Sequence, residues 1–182
     1  MIAQNLVPSS WIDSLASGRL DPDFLRSIRV PEHGVLRDQQ CVPLGGDRER
    51  VIDRVWALGG SYGWPSMNWA WRLRGWLDRL VGGFGLRRGR RHPKELRAGD
   101  ALDFWRVVMA DRTSDPDSAR LILFAEMKLP GEAWLDFEIT GTELKQTATF
   151  RPRGLLGRLY WYGILPFHLL LFPRMAGRLA KN

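Results

Sequence analysis

The sequence predicts an α+β protein, an antiparallel sheet covered on one face by helices, the last of them long and apolar. Three observations carry that prediction. Between residues 101 and 151 the apolar residues recur with a period of two. The separators there are short, so consecutive strands must pair as antiparallel hairpins. After them, Arg153–Lys181 is apolar on nearly every side, as a helix buried in a core or a bilayer would be.

Residues 1–34 read as an N-terminal extension and 35–182 as one domain, long enough to bury a core. Asp21-Pro22 before DFLRSI favours a short helix, a cap followed by proline at the first helical position. Val35–Leu44 reads as a strand with a polar middle, RDQQ, and Gly45-Gly46 ends it. Asp47 can cap the next segment, where Val51, Ile52, Val55 and Trp56 recur at helical spacing until Gly59-Gly60. That spacing predicts a helix over Asp47–Leu58. Tyr62-Gly63-Trp64-Pro65 marks a turn. Ser66 then caps a helix over 66–81, with Trp69, Leu73, Trp76, Leu77 and Leu80 on one face.

Gly82-Gly83 closes that helix and a glycine- and arginine-rich connection follows. Four strands come next: Ala101–Ala110, Arg120–Leu129, Glu132–Thr140 and Glu143–Arg151. In the third, Ala133, Leu135, Phe137 and Ile139 alternate with Trp134, Asp136, Glu138 and Thr140. In the fourth, Leu144, Gln146, Ala148 and Phe150 alternate with Lys145, Thr147 and Thr149. One face is therefore buried and the other solvated. The terminal helix, kinked at Pro166 and Pro173, is the natural cover for the inner face. Its uncharged window between Arg158 and Arg174 is shorter than the roughly 20 apolar residues of a bilayer span, so no membrane span is expected.

The net charge of +7 permits anionic partners without requiring them. Arg87, Arg88, Arg90, Arg91, Lys94 and Arg97 form a basic loop suited to carboxylates, phosphates or a lipid surface. Phe84 is its only aromatic, so nucleic acid is not expected. Nine Trp exceed what a small core needs, and Trp suits cavity walls because it joins a large apolar face to one N–H donor. Cys41 is alone and the N-terminus has no basic-then-apolar pattern, so a reducing, cytoplasmic setting is the expectation.

Strong catalytic signatures are missing. GGFGLRRG follows a helix and lacks the third glycine of a dinucleotide fingerprint, and no phosphate-loop lysine follows a glycine run. His33, His92 and His168 lie far apart with no CxxC or HExxH, so no metal is expected, and GxSxG does not occur. Two polar residues lie on faces expected to be buried. Asp103 shares a strand face with Trp105, Val107 and Met109, and Gln146 shares one with Leu144, Ala148 and Phe150. A carboxylate among apolar walls has a raised pKa and can move a proton, so Asp103 and, amid PFHLLLF, His168 are the catalytic candidates. For each, a satisfied structural role is the rival account.

LRRGRRHPKELRAGDALDFWRV, AEMKLPGEAWLDFEI, QTATFRPRGLLGRLYW and LPFHLLLF together resemble an uncharacterised bacterial family, domain of unknown function 2867, from about Val35 to the C-terminus. That family is in turn similar to the START-like, birch-allergen-like (polyketide cyclase-like) superfamily. The resemblance implies a helix-grip fold, in which a curved antiparallel sheet, two helices and a long C-terminal helix enclose a hydrophobic cavity. It implies no catalytic residues and no bound cofactor. It also implies a dinucleotide-binding, dehydrogenase-like protein as a separate partner.

The function expected on these grounds is binding of a small hydrophobic or aromatic molecule between sheet and terminal helix. Trp69, Trp76, Trp105, Met127, Leu135, Phe137, Phe150 and Trp161 would be its walls, with Asp103 and Gln146 as polar handles. The alternatives are a cyclase- or aromatase-like enzyme acting in the same cavity, and a basic surface binder of anionic lipid.

Overall fold

A computed structural model describes residues 30–59, 63–64, 95–115 and 117–181. Its elements run β1 (Leu36–Pro43), α1 (Arg48–Trp56), β2 (Ala101–Leu102), β3 (Trp105–Asp115), β4 (Ser118–Ala125), β5 (Gly131–Ile139), β6 (Glu143–Pro152) and α2 (Gly154–Ala180). The strands form one antiparallel sheet in the order β1-β6-β5-β4-β3-β2. The α+β class is as expected. The helix expected over 66–81 lies outside the described residues.

Alternation sorts the sheet into two faces. On the inner one, Leu135, Phe137 and Ile139 of β5 are fully buried beside Leu144 and Ala148 of β6 and Leu121 and Leu123 of β4. The outer face carries cross-strand ion pairs. Arg120 grips Asp136 with two guanidinium nitrogens, Lys145 meets Glu138, and Arg151 meets Glu132. A small second cluster, Ile122, Phe124 and Trp134, is also buried on that outer face.

One expected strand is two. Leu102 pairs with Trp105, so Asp103 and Phe104 form a two-residue turn and Ala101–Ala110 divides into β2 and β3. Asp103 takes φ of +56°, a left-handed conformation that Asp tolerates better than most residues. Asp103 is thus a turn residue and not a member of the strand face of Trp105 and Val107. Met109 leaves that face as well. A bulge between Val107 and Met109 shifts the register, pairing Met109 opposite Ile122 of the outer cluster, where it is 43% exposed.

Helix α1 begins as expected at Asp47, whose carboxylate accepts from the Glu49 backbone N–H at 3.1 Å. It buries Val51, Ile52, Val55 and Trp56, and Arg112 of β3 ties its outer side through Asp53 and Glu49.

Helix α2 is fixed at both ends. Near its start, Gly157 lies against Pro130 and Pro152 so closely that a Cβ would fall 2.8 Å from the Pro152 Cα. At its end, Arg54 of α1 donates to the Leu179 carbonyl at 3.2 Å and the Gly45 N–H donates to that of Ala180 at 2.9 Å. The helix continues through Pro166 and Pro173, both on its exposed side, where water can serve the carbonyls that lose their helical partner.

Candidate functional site

Strand β1 is the sheet edge beside β6, so register decides which of its side chains meet those of β6 on the inner face. Leu36 lies opposite Phe150, Asp38 opposite Ala148, Gln40 opposite Gln146 and Val42 opposite Leu144. On the other side of β6, Gln146 lies opposite Phe137 and Ala148 opposite Leu135. One acid and one amide of β1, Asp38 and Gln40, therefore point into an otherwise apolar face, next to the one amide of β6 that does the same.

Helix α2 completes the arrangement from above. Trp161 stacks on Phe150, with centroids 5.8 Å apart and planes within 9°. His168 sits edge-on between Trp161 and Phe172, at 5.0 Å and 4.5 Å. Its Nδ1 is 3.9 Å from Asp38 Oδ2, a contact that becomes an ion pair only when the imidazole is protonated.

Hydrogen bonding in this group is incomplete. Gln40 donates to Asp38 Oδ1 at 2.7 Å, but the buried Oδ2 accepts no hydrogen bond. Gln146 is 1% exposed, and neither its amide oxygen nor its amide nitrogen has a hydrogen-bond partner. A buried polar group left so costs about 1–3 kcal/mol. The free positions at Gln146 comprise donors and an acceptor, and Asp38 adds an acceptor. A hydroxyl or amide lying among these atoms could satisfy them.

The predicted site residues separate into two groups. Phe150 of β6 meets Trp161 of α2, and Trp161 meets His168, which faces Asp38. Gln146 lies four residues before Phe150 on the same strand face, between Gln40 and Phe137, with Leu135 opposite its neighbour Ala148. Asp103, Trp105 and Met127 belong to the opposite end of the sheet. There Asp103 Oδ2 accepts from Trp64 Nε1 at 2.8 Å, and Trp105 packs against Trp64 and Phe104. Burial raises the Asp103 pKa, and the Trp64 hydrogen bond opposes that rise. Asp103 and His168 thus have different neighbours: Asp103 faces Trp64, and His168 faces Asp38, Trp161 and Phe172. Trp69 and Trp76 lie outside the described residues.

Asp38 and Gln40 were not anticipated. The signal was present, because Leu36, Asp38, Gln40 and Val42 fall on one face of a strand. A second feature went undivined near the other end, where Arg106 and Glu126 form a buried pair, 2% and 3% exposed. No group of three or more His, Cys, Asp or Glu able to hold a metal occurs among the described residues.

No curated protein and no solved structure matches the chain. Residues 31–175 match the family described as protein of unknown function (DUF2867). That match spans most of the chain, from the strand carrying Asp38 to the helix carrying His168, and the protein belongs to this family.

Proposed function

We propose that the protein binds a small aromatic or hydrophobic molecule bearing a hydroxyl or amide, held between the inner face of the sheet and α2 in the manner of a START-like helix-grip domain. The observation that supports this most is Gln146, buried to 1% with both ends of its amide unpartnered. A site that keeps polar atoms unpaired rejects ligands unable to pair them. Phe150, Trp161 and Phe172 would supply the aromatic walls, with Gln146 and Asp38 fixing orientation.

The test is a matched pair of probes. 2-Naphthol should bind at least tenfold more tightly than 2-methylnaphthalene, which has the same shape without the hydroxyl. Gln146→Leu should erase that preference while keeping the methyl compound. Equal affinities in the unaltered protein, or no binding of either, would overturn the proposal. Native mass spectra of the protein as purified would identify a resident molecule directly.

One observation favours a second reading, an enzyme of the cyclase or aromatase kind. His168 beside Asp38 is an imidazole with a carboxylate in reach, an arrangement suited to moving a proton. Turnover of a polyketide-like substrate that His168→Gln abolishes, with binding retained, would support it.

A further inference from the structure

Helix α2 is apolar on the side turned away from the sheet as well as the side turned toward it. Its buried residues, Gly157, Trp161, Leu171, Phe172, Met175 and Leu179, follow one helical stripe. The opposite stripe would ordinarily be polar. Here it carries Leu155 at 72% exposure, Leu156 at 73%, Leu159 at 58%, Tyr162 at 60%, Phe167 at 58% and Leu169 at 60%. A run of exposed large apolar residues along one helix marks an interaction surface.

The charges around that stripe indicate its partner. From Arg153 to the C-terminus there is no Asp or Glu, whereas Arg153, Arg158, Arg174, Arg178 and Lys181 are all basic. At about 100° per residue, Leu159 and Leu170 fall near the centre of the exposed stripe. Arg158 then lies on one flank, with Arg174 and Arg178 on the other. An apolar face rimmed by exposed arginines is the pattern of a helix lying in the plane of an anionic bilayer, its arginines reaching the headgroups. The length and composition of α2 also meet the requirements of a membrane-crossing helix. However, Trp161, Phe172, Met175 and Leu179 are committed to the sheet and α1, and a spanning helix would have to abandon that packing.

We infer that the outward face of α2 docks the protein on the surface of an anionic phospholipid bilayer, with α2 lying flat and not crossing. This is independent of what the inner face binds. Sedimentation of the full chain with vesicles tests it, comparing phosphatidylcholine alone with a mixture containing one quarter phosphatidylglycerol. Binding should be at least tenfold tighter to the anionic vesicles and should weaken steeply with salt. Leu155→Gln, Leu159→Gln and Phe167→Gln together should reduce it at least tenfold. Far-ultraviolet circular dichroism and an unchanged melting temperature would show that this triple variant still folds. Arg158→Gln with Arg174→Gln should remove most of the preference for anionic lipid. No sedimentation with either vesicle, or undiminished binding by the folded triple variant, would overturn the inference. So would bound protein that resists alkaline carbonate extraction, which would mean a span. A concentration-dependent dimer that the triple variant abolishes would also overturn it, because the face would then belong to a second copy.

Discussion

At the β3–β4 end of the sheet, Arg106 is buried with each of its three guanidinium nitrogens hydrogen-bonded. Its Nε and Nη2 donate to the two oxygens of Glu126 at 2.8 and 3.3 Å, and its Nη1 donates to the Gly99 carbonyl at 2.8 Å. At the β1–β6 end, Gln146 is buried as deeply and its amide donates to nothing and accepts from nothing. Both side chains were taken out of water, at comparable depth, within one small domain. In the first case the protein itself replaces the lost water contacts, so the group locks β3, β4 and the preceding loop together. In the second, the fold leaves them unreplaced, an arrangement expected where a ligand supplies the missing partner. Burial alone does not distinguish the two side chains; their hydrogen bonds do. Trp105 and Trp134 also keep a buried indole N–H without a partner, but Gln146 leaves both a donor and an acceptor open on one group.

The comparison is broken most forcefully at its closed end. Arg106→Leu leaves Glu126 charged and buried without a partner and should cost about 3–5 kcal/mol, a large share of a typical stability of about 5–15 kcal/mol. Urea unfolding would measure it. Arg106→Met combined with Glu126→Leu should recover most of the loss, because both desolvated charges are then gone.

The open end depends instead on how α2 is seated. Gly157→Ala would place a methyl against the Pro130 carbonyl and the Pro152 ring, and overpacking of that kind should cost about 1–3 kcal/mol. If the aromatic walls depend on that seating, binding of 2-naphthol should weaken in the same variant.

Asp103 offers a smaller effect, read through pH. Its folded-state pKa lies above the model-peptide value of 3.8, so between the two the folded protein holds the proton more tightly than the unfolded chain. Its contribution is therefore most favourable below about 3.8 and declines as pH rises through the elevated folded value. Asp103→Asn should flatten this part of the stability–pH curve. Asn keeps an acceptor for Trp64 and tolerates the left-handed backbone, so the variant should fold normally.

Much of the framework was legible because its signals are local. Asp47 before Val51, Ile52 and Val55 located α1, and the alternation of Leu135, Phe137 and Ile139 gave β5 its inner face. The bulge after Val107 and the left-handed turn at Asp103 were not legible, since alternation assumes an unbroken strand. The candidate site was half legible. Gln146, Phe150, Trp161 and His168 stood out as polar or aromatic residues in apolar runs. Asp38 and Gln40 did not, because a polar middle in a short strand looks like an edge facing solvent. Their meeting with Gln146 depends on β1 pairing with β6, across more than a hundred residues, and no local pattern encodes that pairing. The outward face of α2 was misjudged for a related reason. An all-round apolar helix reads as enclosed, and only tertiary structure shows that one stripe is left exposed.

The central claim, that the Gln146 amide is held unpaired for a ligand, is tested most directly by urea unfolding of Gln146→Leu after refolding from denaturant to strip any bound molecule. Leucine fills a similar volume and removes an unsatisfied amide from an apolar face. Stability should be unchanged or raised, by up to about 2 kcal/mol, with the denaturant slope unaltered. A loss of more than about 1 kcal/mol would mean that the amide is satisfied within the folded chain, placing Gln146 with Arg106 as a structural residue.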